Sequence, residues 1–134
     1  MDKKPRMFKQ TDRFKTKLLE VSEDPMMIIS PDNSIMQVNS LLEKLTGFSS
    51  LDLIGAMAPY PWWVKENEKD YLQRLEDAMQ NGGERVEHVF RRKTGELFWV
   101  EVTSTPAVRD GRLVYLLSRW VDITDRNRVK EEKM

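Results

Sequence analysis

The chain has 134 residues, 22 basic and 22 acidic side chains, a formal net charge of zero, 40% hydrophobic residues and no cysteine. That length suits one domain with a sizeable core, while the balanced charge gives no bulk attraction to nucleic acid or to a membrane surface. Missing cysteines rule out disulfides and thiolate metal sites and suit a cytoplasmic location. No apolar run approaches the ~20 residues of a membrane span, and Lys3, Lys4 and Arg6 are not followed by the apolar stretch of a signal peptide.

Residues 5–22 place Met7, Phe14, Leu18 and Val21 at helical spacing, and Pro25 stops the pattern. Residues 1–17 hold seven basic side chains against two acids. An anionic partner is one reading; a solvated helix whose apolar stripe packs on the domain or on a second copy is the simpler one. Residues 26–30 then form a short apolar strand, Pro31-Asp32-Asn33-Ser34 a turn, and residues 35–38 a second strand. With serine at position 34, Asn33 is the residue expected to take the left-handed conformation. Asn39 is placed to cap the next helix by accepting a free backbone N–H of its first turn.

That helix carries Leu41, Leu42 and Leu45 and ends in Thr46-Gly47-Phe48. Leu51-Asp52-Leu53-Ile54-Gly55 follows, then the rigid aromatic segment Pro59-Tyr60-Pro61-Trp62-Trp63. Tyr71, Leu72, Leu75, Ala78 and Met79 share one face of a helix over residues 66–80, which Asn81-Gly82-Gly83 stops. Residues 84–121 read as a three-strand meander. Val86, His88 and Phe90 alternate with Glu87, Val89 and Arg91 up to a hairpin at Lys93-Thr94-Gly95-Glu96. Residues 97–102 resume the extended pattern, Asp110-Gly111 marks a second hairpin, and residues 113–121 give the last strand. Asp122 or Thr124 then caps a helix in which residues 125–133 offer only Val129 as an apolar side chain, so that helix needs a neighbour or a continuation.

Four motifs in this order resemble the PAS domain family of S-box type. They are Asn39 opening a helix that ends in Thr46-Gly47-Phe48; Leu51-Asp52-Leu53-Ile54-Gly55; Arg92-Lys93-Thr94-Gly95 followed by Trp99-Val100; and Asp122-Ile123-Thr124-Asp125-Arg126. The resemblance covers residues 19–126. It implies an α+β fold in which a five-stranded antiparallel sheet, order 2-1-5-4-3, carries short helices on one face around a cleft. It also implies an N-terminal flanking helix over residues 1–22, the PAS domain over 23–123 and the start of a signalling helix over 124–134. By the same resemblance the chain is a sensory module of a larger protein, with a histidine kinase first and a diguanylate cyclase second as the attached effector. A homodimer is expected, a small-molecule ligand in the cleft is possible, and neither nucleic acid nor membrane is an expected partner. The cofactor stays unknown. The flavin photoadduct of light-sensing members needs a cysteine, and haem-binding members are expected to place the axial histidine on the helix over residues 66–80, where there is none.

Phe48, Trp63, Leu75, Met79, His88, Phe90 and Val100 are the candidates for the cleft. His88, the single histidine, reads ordinarily as a buried neutral imidazole held by hydrogen bonds. The sharper alternative makes it the polar contact to a ligand among apolar walls. The second and third meander strands carry apolar residues on both faces, so the face away from the cleft needs cover. Phe14, Leu18, Val21, Trp99 and Trp120 are therefore expected on a dimer or flanking-helix surface. Asp122, holding Arg126 or a backbone donor, and Thr124, capping the exit helix, are expected to relay the signal. Lys93-Thr94-Gly95 matches a tripeptide of serine β-lactamases, but no Ser-x-x-Lys accompanies it; the scattered glycines form no phosphate loop, and no second histidine supports a metal site. The domain is expected to be non-catalytic.

Overall fold

In a computed structural model that describes residues 17, 19–83 and 85–127, five antiparallel strands form one sheet. They are β1 (Met26–Ile29), β2 (Ile35–Val38), β3 (Arg85–Arg91), β4 (Leu97–Arg109) and β5 (Arg112–Asp122), in spatial order β2-β1-β5-β4-β3. Helices α1 (Ser40–Thr46), α2 (Ser50–Leu53) and α3 (Glu68–Asn81) lie in the long connection between β2 and β3. A single turn of 3₁₀ helix, Lys65–Asn67, leads into α3, which therefore starts two residues later than its apolar spacing suggests. Neither Phe14 nor Leu18 is among the described residues, and the same holds for residues 128–134.

Local chemistry explains most of the turns. Asn33 takes a φ of 75°, and the Asp32 carboxylate accepts from both the backbone and the hydroxyl of Ser34. Asp110 and Gly111 both have positive φ, as a two-residue hairpin between right-twisted strands requires. The strand β4 is longer than its pattern of apolar alternation indicates, running through Pro106 to Arg109. Proline is tolerated there because the register of β3 with β4 ends at Arg85 and Thr103, leaving no β3 carbonyl to be served at position 106.

Asn39 does more than cap. Its Oδ1 accepts from Leu42 N in the first turn of α1 and from Met26 N at the start of β1, both at 3.0 Å. Its Nδ2 donates to Asp24 O at 2.8 Å and to Leu19 O at 3.3 Å. One buried amide thus joins the N-terminal segment, β1 and α1.

Most of the core lies between the inner sheet face and the β2–β3 connection, with Trp62, Phe98, Leu116 and Trp120 essentially inaccessible to solvent. Burial of side chains of this size stabilises by about 2–3 kcal/mol each. A second, smaller cluster sits on the outer face, where Leu19 covers Met26 and Ile28 beside Tyr115 and Leu117. The N-terminal segment therefore packs through Leu19, whereas Val21 is 63% exposed.

Candidate functional site

Strand parity selects what faces the space under α3. In the meander register, Val86 pairs with Val102 and His88 with Val100, while Val102 pairs with Trp120 and Ser104 with Ser118. Partners on adjacent strands share a face, so these residues all point inward. Trp99 pairs with Val89 on the opposite face. Trp120 is thus not a surface residue: it is 1% exposed, with its Nε1 donating to Ser118 Oγ at 3.0 Å. The expectation that Trp99 and Trp120 share a dimer surface fails on parity, since they are separated by an odd number of register steps across the two strands.

A cavity of about 70 Å³ lies between α3 and the inner sheet face. Tyr60, Trp62, Trp63, Tyr71, Phe90 and Trp120 line it, with Leu75 and Ala78 from α3 and Met27 and Ile29 from β1. The rings pack edge to face: Trp62 on Trp120 at 5.1 Å and 83°, Tyr71 on His88 at 5.3 Å and 77°. Such pairs contribute about 0.5–1.5 kcal/mol each beyond area burial. Arg74, Ala78 and Val86 also border a larger groove of about 430 Å³, shared with Asp77, Asn81 and Gly82, which makes this end of α3 the mouth of the cavity.

Of the seven cleft candidates, Trp63, Leu75, His88 and Phe90 line the cavity. Phe48 and Met79 pack against the core from outside it, and Val100, wholly buried, is filled in behind its neighbours. Tyr60, Trp62, Tyr71, Arg74, Ser104, Ser118 and Trp120 also line it, none of them among the cleft candidates and Trp120 expected instead on the surface. For Ser104 the signal was present, four residues from the cleft candidate Val100 along the same strand, whereas the face of Ser118 and Trp120 depended on the β4–β5 register. For Tyr60 and Trp62 no periodicity exists, because they belong to an irregular segment.

The polar groups of the cavity are few, and two of them are uncommitted. Burial lowers the His88 pKa to about 4; nearby Asp70 opposes the shift and Arg74 adds to it. The imidazole is therefore neutral at pH 7, with one donor and one acceptor. Among the described residues neither ring nitrogen of His88 makes a hydrogen bond, and the same is true of the Ser104 hydroxyl. Tyr71, by contrast, is committed, its hydroxyl donating to Val89 O. Burial, reinforced by Asp32, pushes the Tyr60 phenol well above its usual range, and its hydroxyl donates to Asn33 O at 2.9 Å. Arg74 is half exposed, 3.8 Å from Asp70.

At the far end of β5 the chain leaves the sheet through a tight knot. Asp122 Oδ1 accepts from Thr124 N at 3.0 Å and from the Thr124 hydroxyl at 2.6 Å. Thr124 Oγ1 accepts from Trp99 N at 3.0 Å, and Ile123 N donates to Trp99 O at 2.9 Å. Asp122 thus holds a backbone donor, one of the two expected partners, and the cap of the helical residues 124–127 is Asp122, with Thr124 tying the turn to β4. Arg126 does not reach Asp122; it lies over Glu87 and Glu101.

Haem does not fit these residues. His88 would have to ligate from β3 into about 70 Å³, a small fraction of the roughly 300–1,000 Å³ that a drug-sized ligand occupies. Among the described residues no cluster of three or more histidines and carboxylates is placed to hold a metal ion, and no helix is long and apolar enough to cross a membrane.

Comparison with known proteins agrees with this architecture. A family model described as a PAS domain matches residues 23–125, and the chain belongs to the PAS domain family. Among solved structures, the PAS domain of a protein from Colwellia psychrerythraea superposes with a TM-score of 0.75 at 22% identity, covering 85% of this chain and 98% of that one. A light-oxygen-voltage protein of Rhodobacter sphaeroides gives 0.74 at 13% identity, covering 86% and 68%. The PAS domain of an HTR-like protein from Haloarcula marismortui gives 0.64 at 20% identity, covering 90% and 98%. At such identities the superpositions establish the fold. As a PAS domain the chain is a sensory module.

Proposed function

We propose that this chain senses a small uncharged molecule in the cavity between α3 and the sheet and passes the change through Asp122 and Thr124 to an attached effector. The observation that carries the reading is the unused hydrogen-bonding capacity of His88 and Ser104 inside an aromatic-walled space. Size and charge narrow the ligand. A water needs about 10–15 Å³ of such volume and a benzene-binding cavity measures about 150 Å³, so about 70 Å³ suits roughly three to five heavy atoms. A neutral His88 supplies no counter-ion, and Arg74 at the mouth is flanked by Asp70 and Asp77, so neither an anion nor a cation is favoured.

The effector we propose is a histidine kinase, with a diguanylate cyclase as the alternative, in a homodimeric parent protein. NMR titration of the His88 ring resonances tests the ligand class. Pyrazole and propionamide are expected to shift them at millimolar concentration, propionate and propylammonium to leave them in place, and Ser104→Leu to remove the response by filling the space. If no neutral molecule of this size moves His88, the sensing reading is wrong.

A ligand-free dimerisation module is the second reading, favoured by the outer sheet face. Trp99, Leu113, Tyr115 and Leu117 are only partly buried there, and Val121 is 40% exposed. Sedimentation equilibrium separates the two: Trp99→Glu is expected to weaken a dimer without altering the His88 titration.

A further inference from the structure

On the outer face, one cluster ties the sheet to the departing chain. Glu87 on β3 and Glu101 on β4 are register partners, a placement in which two like charges repel. Arg126 answers both: its Nη2 lies 3.3 Å from Glu87 Oε2 and 3.8 Å from Glu101 Oε2. The next residue adds a second arm, Asn127 Nδ2 donating to Glu87 Oε1 at 3.4 Å. Both carboxylate oxygens of Glu87 are therefore held by consecutive residues of the exit turn. Asn127 itself is buried, and its Oδ1 has no partner among the described residues.

Glu87 sits between Val86 and His88, which point the other way, into the cavity. Successive residues of a strand face opposite sides, so a shift of β3 that repositions His88 also moves Glu87 against Arg126 and Asn127. The clasp is short of slack: the side chain of the buried Asn127, its oxygen orphaned, is held by a single long hydrogen bond, and a cation shared between two carboxylates loses attraction to whichever of them moves away. From this geometry we infer that Glu87 is a positioning residue that couples the cavity to the exit turn, its clasp on Arg126 and Asn127 loosening when β3 shifts. The inference rests on the proposed sensing role for what moves β3; the clasp itself does not depend on it.

Because His88 is the chain's single histidine, its ring resonances report the cavity without ambiguity, while exchange of the Asn127 amide, bonded to Ile123 O at 3.0 Å, reports the exit turn. Both are measured on the 134-residue chain in wild type, Glu87→Gln, Asn127→Ala and the reversal Glu87→Arg with Arg126→Glu. Glu87→Gln leaves one acceptor where there were two, and Asn127 exchange is expected to quicken about fivefold, the scale of one exposed ion pair. The His88 resonances are expected to shift in Glu87→Gln and also in Asn127→Ala, where no charge has changed and a direct electrostatic cause is excluded. The reversal rebuilds the ion pair but leaves Asn127 Nδ2 without its acceptor, so exchange is expected to recover only in part. Unchanged Asn127 exchange in Glu87→Gln overturns the clasp; quickened exchange with His88 unmoved in both variants overturns the coupling. A wild-type His88 that responds to no added molecule counts against the ligand reading alone.

Discussion

Replacing Asn39 with alanine is expected to lower the unfolding free energy by about 3 kcal/mol. The helix cap alone, the 3.0 Å bond from Leu42 N, is worth about 1 kcal/mol. The same oxygen also accepts from Met26 N at 3.0 Å, a buried donor that alanine leaves unsatisfied at about 1–3 kcal/mol. The donated bonds add less. Asp24 O keeps the Ser22 hydroxyl at 3.0 Å, and the bond to Leu19 O is already long at 3.3 Å. Urea denaturation measures the difference, with an unchanged slope showing that the denatured state is not altered. A loss below about 1 kcal/mol would refute the reasoning, because Asn39 would then act as an ordinary cap and the junction with β1 would add nothing.

Three further outcomes are expected. His88 titrates near pH 4 when folded and near its ordinary 6.5 when unfolded, so between these values the unfolded chain binds more protons and stability rises with pH. Its contribution, about 2–3 kcal/mol, is complete above pH 6.5 and disappears towards pH 4; His88→Leu should flatten that part of the stability profile relative to wild type. At Gly82, with φ of 73°, an added Cβ would lie 2.7 Å from Pro106 Cδ, whereas at Gly83, with φ of 56°, it would meet nothing within 4 Å. Gly82→Ala is expected to cost about 2–3 kcal/mol and Gly83→Ala about 1, a difference that thermal or urea unfolding resolves. Thr124→Ala removes the acceptor of Trp99 N and should cost about 1–2 kcal/mol, while Thr124→Ser should be close to neutral.

Much of the fold was legible in residue order, because its signals are local. Asp110-Gly111 and Lys93-Thr94-Gly95 mark turns whose backbone conformations few other residues adopt, and Asn39 marks a helix start by its capping chemistry. The ordered motifs also placed the chain in its family and implied the sheet order that the structure has. Alternation along β3 put His88 and Phe90 on one face. It could not relate the faces of different strands, since that depends on which residues pair; Trp99 and Trp120 therefore looked alike as surface tryptophans until the β4–β5 register separated them.

The cavity and the exit turn were decided by tertiary structure. Tyr60 and Trp62 sit in a segment with no period, and their inward position follows from contacts such as Trp62 on Trp120 and the Arg91 N–H on Trp62 O. Arg126 is four residues from Asp122 in sequence, yet it pairs with Glu87 and Glu101. Hydrogen-bonding propensity and apolar spacing act over a few residues, and they determined the elements, the turns and the family. The size of the cavity, the neutrality of His88 and the partners of Arg126 depend on residues tens of positions apart being packed together, and packing determined those.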